Sequence, residues 1–451
     1  MLSRLTQAII LVALLISISH YGHSETDNYE SAPILAASKI LSPTILNSPD
    51  YTIQEQVYND SYMNNFTVNS NFGVFFATGE MQLENLVHEI KVLKEIEQKY
   101  PSQSVAQDAA LATGKKIIVA PVHAVEKVVD TVSDPNALKK TITAVPRGVT
   151  NLFKFAASTV EAGVDLVSNT NTDTSKSAQK SDSTSVKLND VTDYVSDKAL
   201  DLTGYNQAAT ALMKEYALDP YTQNQRIRSE IRRVAGIQSG VGIAGRFIPS
   251  VATISGVGSF NHYVDMAGSV AAYEDPKKLE ALNTKVLDAI GKNDQQKASW
   301  DDSFKNNQSY TPLTRAILLN NLKLLGDIRG RAGFIQMASN AQDSETAQFY
   351  VTASHKLLKL HQQQEALKEL VTDVKLPAAL SKSNKLYIPL PVDHVVWTKE
   401  IAQIFRNFKS RIVQKYKVSS TTVILSGTIS PRCSQELKIL GADSVLVNQR
   451  F

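Results

Sequence analysis

Lys385-Leu386-Tyr387-Ile388-Pro389-Leu390, Thr421-Thr422-Val423-Ile424-Leu425 and Ser444-Val445-Leu446-Val447 are short runs of β-branched, aromatic and apolar residues. Between them, Val395 to Tyr416 and Pro431 to Leu440 carry helical spacing. Ser430 suits an N-cap, Pro431 the first helical turn and Gly441 the position just past the end. Strands alternating with helices predict a small parallel sheet with right-handed crossovers, a βαβαβ-like module over residues 385–451.

Upstream the texture is α-helical. Helices are expected at about Val191 to Leu200, Asn206 to Ala217, Gln225 to Ala235 and Lys277 to Gly291, with a polar loop over Lys292 to Tyr310. Thr311 caps the next, with Pro312 at its first position and Leu313, Ile317, Leu318, Leu322 and Leu325 on its apolar side. A long helix then runs from Asp343 to about Val371, so residues 191–380 read as a helical domain.

Within that domain, Ala217-Leu218-Asp219-Pro220-Tyr221-Thr222 is a helix stop, because proline cannot donate and pushes its predecessor out of the α region. The helix after it carries Arg226, Arg228, Arg232 and Arg233 around an apolar stripe of Ile227, Ile231 and Val234. From Gly236 to Phe260 the only charge is Arg246, and glycines stand at 236, 240, 242, 245, 256 and 258. Two readings stay open for 236–260: close helix packing in a core, or a segment that meets a membrane.

Toward the N-terminus, Tyr51 to Tyr58, Asn65 to Asn69 and Gly73 to Ala77 predict a small antiparallel meander, separated by Asn- and Ser-rich turns. Met81 to Gln98 places Leu83, Leu86, Val87, Ile90 and Leu93 on one stripe, suited to covering the sheet. Longer apolar helices are expected at about Val105 to Val132 and Arg147 to Leu166, completing a unit over 51–167. Ser168 to Asp190 is nearly all polar and reads as a disordered linker. The fold class predicted is α+β, mostly α-helical: N-terminal antiparallel meander with covering helices, central helical domain, C-terminal α/β module.

Arg4, the apolar run Ala8 to Ile18 and the small residues before Glu25 read as a secretory signal peptide over 1–24, followed by a lead-in over 25–50. Export is therefore expected, to periplasm, envelope or medium. Cys433 is the single cysteine, so no internal disulfide can form and stability must come from apolar burial. With 47 basic and 44 acidic residues the net charge is +3, which argues against nucleic acid as a partner.

No catalytic set assembles on paper. The histidines lack the spacing of a helical zinc site, His355 and His361 read as helix-surface residues, and no metal or cofactor is expected. Gly240-Val241-Gly242-Ile243-Ala244-Gly245 has dinucleotide-fingerprint spacing, but an arginine-rich helix precedes it where the mechanism needs a strand. Ser426, Gly427, Thr428, Ser430 and Arg432 form a strand-to-helix loop that could hold an anion at a positive helix end; an ordinary connection explains it too. Asp393-His394 with Trp397 is a third candidate, with a capping Asp393 and a buried Trp397 as its plainer explanation. Arg226, Arg228, Arg232 and Arg233 are candidates for partner contact, or a solvated face paired with neighbouring acids.

Four segments carry a resemblance: Asp219-Pro220-Tyr221-Thr222-x-Asn224, Phe66-Thr67-Val68-Asn69-Ser70-Asn71-Phe72-Gly73, Leu390-Pro391-Val392-Asp393 with Trp397, and Ser426-Gly427-Thr428-x-Ser430-Pro431-Arg432 followed by Leu437 and Gly441. Together they resemble a group of uncharacterised exported bacterial proteins, and the resemblance implies no role for any residue. The function expected is that of an exported non-enzymatic protein acting at the cell envelope through a membrane surface or a protein partner. The alternatives are a small-ligand binder or enzyme using the loop Ser426 to Arg432, and a purely structural envelope protein.

Overall fold

The computed structural model describes residues 29–101, 148–158, 205–240, 272–292, 297–374 and 376–448. The expected signal peptide, the helices at 105–132 and 191–200, the linker at 168–190, and the stretch 241–260 lie outside them, as do the ends of the helix expected over 147–166.

The described chain is α+β, with an N-terminal antiparallel sheet and a C-terminal mixed sheet. Strand β1 (Ile34–Ala36) leads into short helices α1 (Ala37–Ile40) and α2 (Pro43–Leu46), then β2 (Tyr51–Ile53), β3 (Gln56–Asn59), β4 (Asn64–Ser70) and β5 (Gly73–Thr78). The segment 34–46, expected to be a flexible lead-in, is thus ordered. Ile34 to Ala36 pair with β3, while Ala37, Leu41 and Ile45 enter the core beneath the sheet.

Helix α3 (Glu80–Lys99) covers this sheet and serves two cores. Leu83, Leu86, Val87 and Ile90 pack with Val57, Phe66 and Val68. One turn further, Val92, Leu93 and Ile96 pack with Leu212 of α5 (Tyr205–Glu215) and Ile227 and Ile231 of α6 (Gln225–Gly240), α4 (Gly148–Ser158) lying earlier in the chain. The apolar stripe shifts around α3 because its neighbour changes from a sheet to a helix pair.

The helical body continues through α7 (Pro276–Ile290), α8 (Lys297–Lys305), α9 (Pro312–Leu324), α10 (Arg331–Ala338) and α11 (Ser344–Gln363). Asp275, Thr311 and Asp343 cap α7, α9 and α11 through their side chains. Helix α8 replaces the expected loop: Trp300 and Phe304, one turn apart, are both buried, and each such side chain contributes about 1.5–3 kcal/mol. Helix α4 joins the same core through Phe153, which stacks on Tyr62 at 4.1 Å and meets Phe349 edge-on at 5.9 Å.

The expected helix from Asp343 ends early, at Gln363, and β6 (Leu367–Val371) follows. Two backbones claim that segment: β7 (Ala378–Ser381) pairs with it antiparallel, and Leu370 N–H donates to Arg329 O at 2.8 Å. Next come β8 (Lys385–Leu390), β9 (His394–Val395), α12 (Lys399–Asn407), β10 (Ser420–Leu425), β11 (Thr428–Ile429), α13 (Pro431–Ile439) and β12 (Ser444–Leu446). Thr398 caps α12, four residues later than the helix start expected from the sequence, and a π-helical stretch, Phe408–Val413, extends it. The sheet order is β12-β10-β8-β7-β6; β8, β10 and β12 are parallel, and the β6–β7 hairpin is antiparallel.

Candidate functional site

A cleft of about 1420 Å³ opens where the N-terminal sheet, the helical body and the C-terminal module meet. Its walls are the β4–β5 hairpin, the start of α3, residues 219–229, the face of α11 carrying Gln348 and Lys356, and the pairs Pro391/Asp393 and Ser426/Gly427. Residues from all four segments quoted for the resemblance therefore line one cavity.

One wall is built on Asp393. Its carboxylate accepts N–H bonds from Asn64 (2.9 Å) and Glu80 (3.3 Å), so it stands at the start of α3. Burial pushes the carboxyl up to about 7, the Glu80 charge adds to this, and the two amides pull back. Its backbone carbonyl accepts the Thr428 amide at 2.8 Å. His394 turns away to Thr428 Oγ1 (2.7 Å), and burial lowers its pKa. Asp393 and His394 thus engage different partners; Trp397 is buried and its amide donates to Glu30 Oε2 at 2.6 Å.

The opposite wall is built on Glu89. Thr222 Oγ1 donates to one of its carboxylate oxygens and Asn224 Nδ2 to the other, the second at 2.8 Å. Asn224 Oδ1 accepts the Arg226 amide at 3.1 Å, capping α6, and Asp219 Oδ1 accepts the Tyr221 amide at 2.8 Å. The Asp-Pro-Tyr-Thr turn is thereby locked to α3 and aims α6. Burial pushes Glu89 up to about 7, opposed by the Thr222 and Asn224 bonds, and Asp219 up to about 6, opposed by the Tyr221 amide. His88, the residue before, bonds Tyr216 O through Nε2 at 2.8 Å.

The four arginines of α6 divide. Arg233 Nε donates to Glu230 at 2.7 Å and its Nη2 to Tyr100 O at 2.8 Å, fastening α6 to the end of α3. Arg226 lies 3.6 Å from Glu230. Arg226, Arg228 and Arg232 line the cleft, and Arg228 makes no ion pair among the described residues.

The loop Ser426 to Arg432 uses its donors internally. The amides of Ser426, Gly427, Thr428 and Ser430 donate to carbonyls of Leu390, Val392, Asp393 and Val395. Ser430 Oγ caps α13 by accepting the Cys433 amide and donates to Glu30 Oε2 at 2.5 Å. Arg432 lies 4.0 Å from Glu436 on its own helix. The first turn of α13 is therefore capped by Ser430 Oγ, itself bonded to Glu30, and four of the loop's amides are taken up by carbonyls of residues 390–395.

His355, expected on a helix surface, is buried in α11, as is the adjacent Lys356, which lines the cleft and whose ammonium burial lowers to about 8. Helix α11 is buried over most of its circumference, and its run from Phe349 to Leu360 carries charged residues only at Lys356 and Lys359, a pattern fitting a central helix. Glu89, Glu30 and Gln348 carried no sequence signal: each finds its place through a partner far away in the chain. Among the described residues no group of three potential ligands could hold a metal ion, and no helix is long and apolar enough to cross a membrane. Comparison with family models, curated proteins and solved structures returns no match.

Proposed function

We propose that this is an exported, non-enzymatic protein of the cell envelope that recognises a segment of a partner protein in the cleft described above. On this reading the fold is a meander with covering helices, a helical body and a small C-terminal α/β module, and the cleft is their common boundary. The observation that carries it is convergence: residues from four separated segments line one cavity of about 1420 Å³. That exceeds the roughly 300–1,000 Å³ of small-molecule sites and suits a stretch of polypeptide.

The buried acids support binding over catalysis. Glu89 and Asp393 are each held by two hydrogen bonds that join one wall of the cleft together, and they stand on separate walls instead of converging on one reacting atom. The anion-site alternative has less support, since the amides of Ser426, Gly427, Thr428 and Ser430 and the Ser430 hydroxyl are engaged within the chain.

Photo-crosslinking in the producing cells tests the proposal. A benzophenone side chain at exposed cleft positions Ser229 or Gln82 is expected to give a discrete protein adduct, and one at exposed Leu282, outside the cleft, is not. Adducts of equal yield at all three positions, or none at any, would overturn it.

A further inference from the structure

The cleft contains an open sheet edge. Strand β4 pairs with β2 and β3 along one side and with β5 along the other, and β5 pairs with β4 alone. The other outer strands, β1 and β2, are three residues each, whereas β5 has six, in unbroken register from Ser70↔Gly73 to Asn65↔Thr78.

The register says which groups are free. Closing the hairpin over Asn71 and Phe72 directs the backbone groups of Gly73, Phe75 and Ala77 toward β4 and those of Val74, Phe76 and Thr78 outward. Two bonds agree: Gly79 N–H, of the inward parity, donates to Asn64 O at 2.8 Å, and Thr78 N–H, of the outward parity, donates away from β4 to Gln82 Oε1 at 3.0 Å. Val74 and Phe76 remain, and among the described residues nothing pairs with their backbone on that side. Sheet edges are ordinarily guarded by lysine, proline or a bulge. Gly73-Val74-Phe75-Phe76-Ala77-Thr78 carries no charge, no proline and no bulge, and Phe76 is 41% exposed.

Charge defines what would pair there. From α6 the same cleft is lined by Arg228, which makes no ion pair among the described residues, with Ser229 beside it; Arg226 lies 3.6 Å from Glu230 and Arg232 has a partner within the chain. The acids that line the cleft are engaged within the chain: Glu89 by Thr222 and Asn224, Asp219 by the Tyr221 amide, Asp393 by the Asn64 and Glu80 amides, and Glu80, Glu84 and Glu345 by partners of their own. We propose that β5 accepts an extended, acidic strand of the partner protein: the main chain adds to the edge at Val74 and Phe76, and a carboxylate of the strand meets Arg228. This inference rests on the cleft being the recognition surface.

The test uses the purified full chain and a labelled peptide of about seven residues alternating valine and glutamate, read by fluorescence anisotropy. Saturable binding is expected, weakened about tenfold or more when lysine replaces glutamate, when the protein carries Arg228→Glu, or when it carries Phe76→Pro. The Phe76 N–H points away from β4, so proline there leaves the β4–β5 ladder whole; an unchanged unfolding midpoint verifies this, and Phe76→Ala separates loss of the ring from loss of the amide. Equal affinity for the acidic and basic peptides, or affinity indifferent to Phe76→Pro, would overturn the proposal. So would a concentration-dependent dimer abolished by Phe76→Pro, which gives the edge to a second copy of this chain. Failure to bind the peptide while Ser229 still crosslinks rejects strand addition alone; loss of the crosslinks as well rejects the cleft.

Discussion

Gly427 lies so close to Asp393 that a Cβ on the glycine would sit 1.8 Å from the Asp393 carbonyl oxygen. The contact seats the end of β10 against the residue whose carboxylate holds the start of α3, so two backbones of the C-terminal module touch with no side chain between them, and the module reaches the N-terminal unit through the Asp393 carboxylate. Gly427→Ala must push these apart, and a loss of about 1–3 kcal/mol is expected in denaturant unfolding. The comparison is Gly236→Ala, on the exposed face of α6 with open space around it, which is expected to stabilise by roughly 0.5–1 kcal/mol. Similar effects for the two substitutions would mean that the Gly427–Asp393 contact is not tight.

Ser430 carries two duties, capping α13 through the Cys433 amide at 3.0 Å and holding the Glu30 carboxylate. Ser430→Ala is expected to cost about 1–2 kcal/mol through the cap. It should also loosen the attachment of residues 29–36, because among the described residues Glu30 hydrogen-bonds the C-terminal module here and at Trp397. Faster hydrogen exchange at β1, with α13 remaining folded, is the result that checks both duties.

How far the sequence revealed this arrangement depends on the range of the forces involved. Ser430, Pro431 and Gly441 announce α13 because capping is local chemistry, and the strands at 385–390, 420–425 and 444–446 are visible for the same reason. Leu367 to Val371 reads as the tail of a helix and becomes a strand because Arg329 and β7, distant in sequence, take its backbone bonds. Glu89 reads as one more charge on the outer face of an amphipathic helix; its burial depends on Thr222 and Asn224, 133 and 135 residues away. The segments quoted for the resemblance were legible as motifs, but their convergence on one cleft follows only from the tertiary fold.

Removing single arginines from α6 should separate structure from recognition. Arg233 bonds both Glu230 and Tyr100 O and is partly buried, so Arg233→Ala is expected to cost about 1–2 kcal/mol. Arg228 has no ion pair among the described residues, so Arg228→Ala should leave stability within about 0.5 kcal/mol while reducing the yield of crosslinks at Ser229. Thermal unfolding and crosslinking on the same two proteins decide the matter, and an Arg228→Ala protein as unstable as Arg233→Ala would place Arg228 in the structural network.

Glu89, with its pKa raised from 4.5 to about 7, binds its proton more tightly folded than unfolded. Between those two values the native state holds more protons, so the contribution of Glu89 to stability is full below about 4.5 and is lost as pH rises through about 7. Asp219 and Asp393 act in the same direction, while His88 and His394, whose pKa values burial lowers, act in the opposite one. The net curve therefore mixes signs, and the variant difference isolates one group. Glu89→Gln cannot ionise, and like the protonated acid it offers one acceptor, to the Asn224 amide, and one donor, to the Thr222 hydroxyl. Its stability is expected to match the parent's to within about 1 kcal/mol near pH 4.5, where the parent carries its proton. A gap in favour of the variant should open as pH rises from about 4.5 to about 7 and level off above that, where the parent bears the cost of a buried charge. Urea midpoints of both proteins from pH 4.5 to 8 measure this, and a gap that stayed constant across the range would show that Glu89 titrates alike in the folded and unfolded chain.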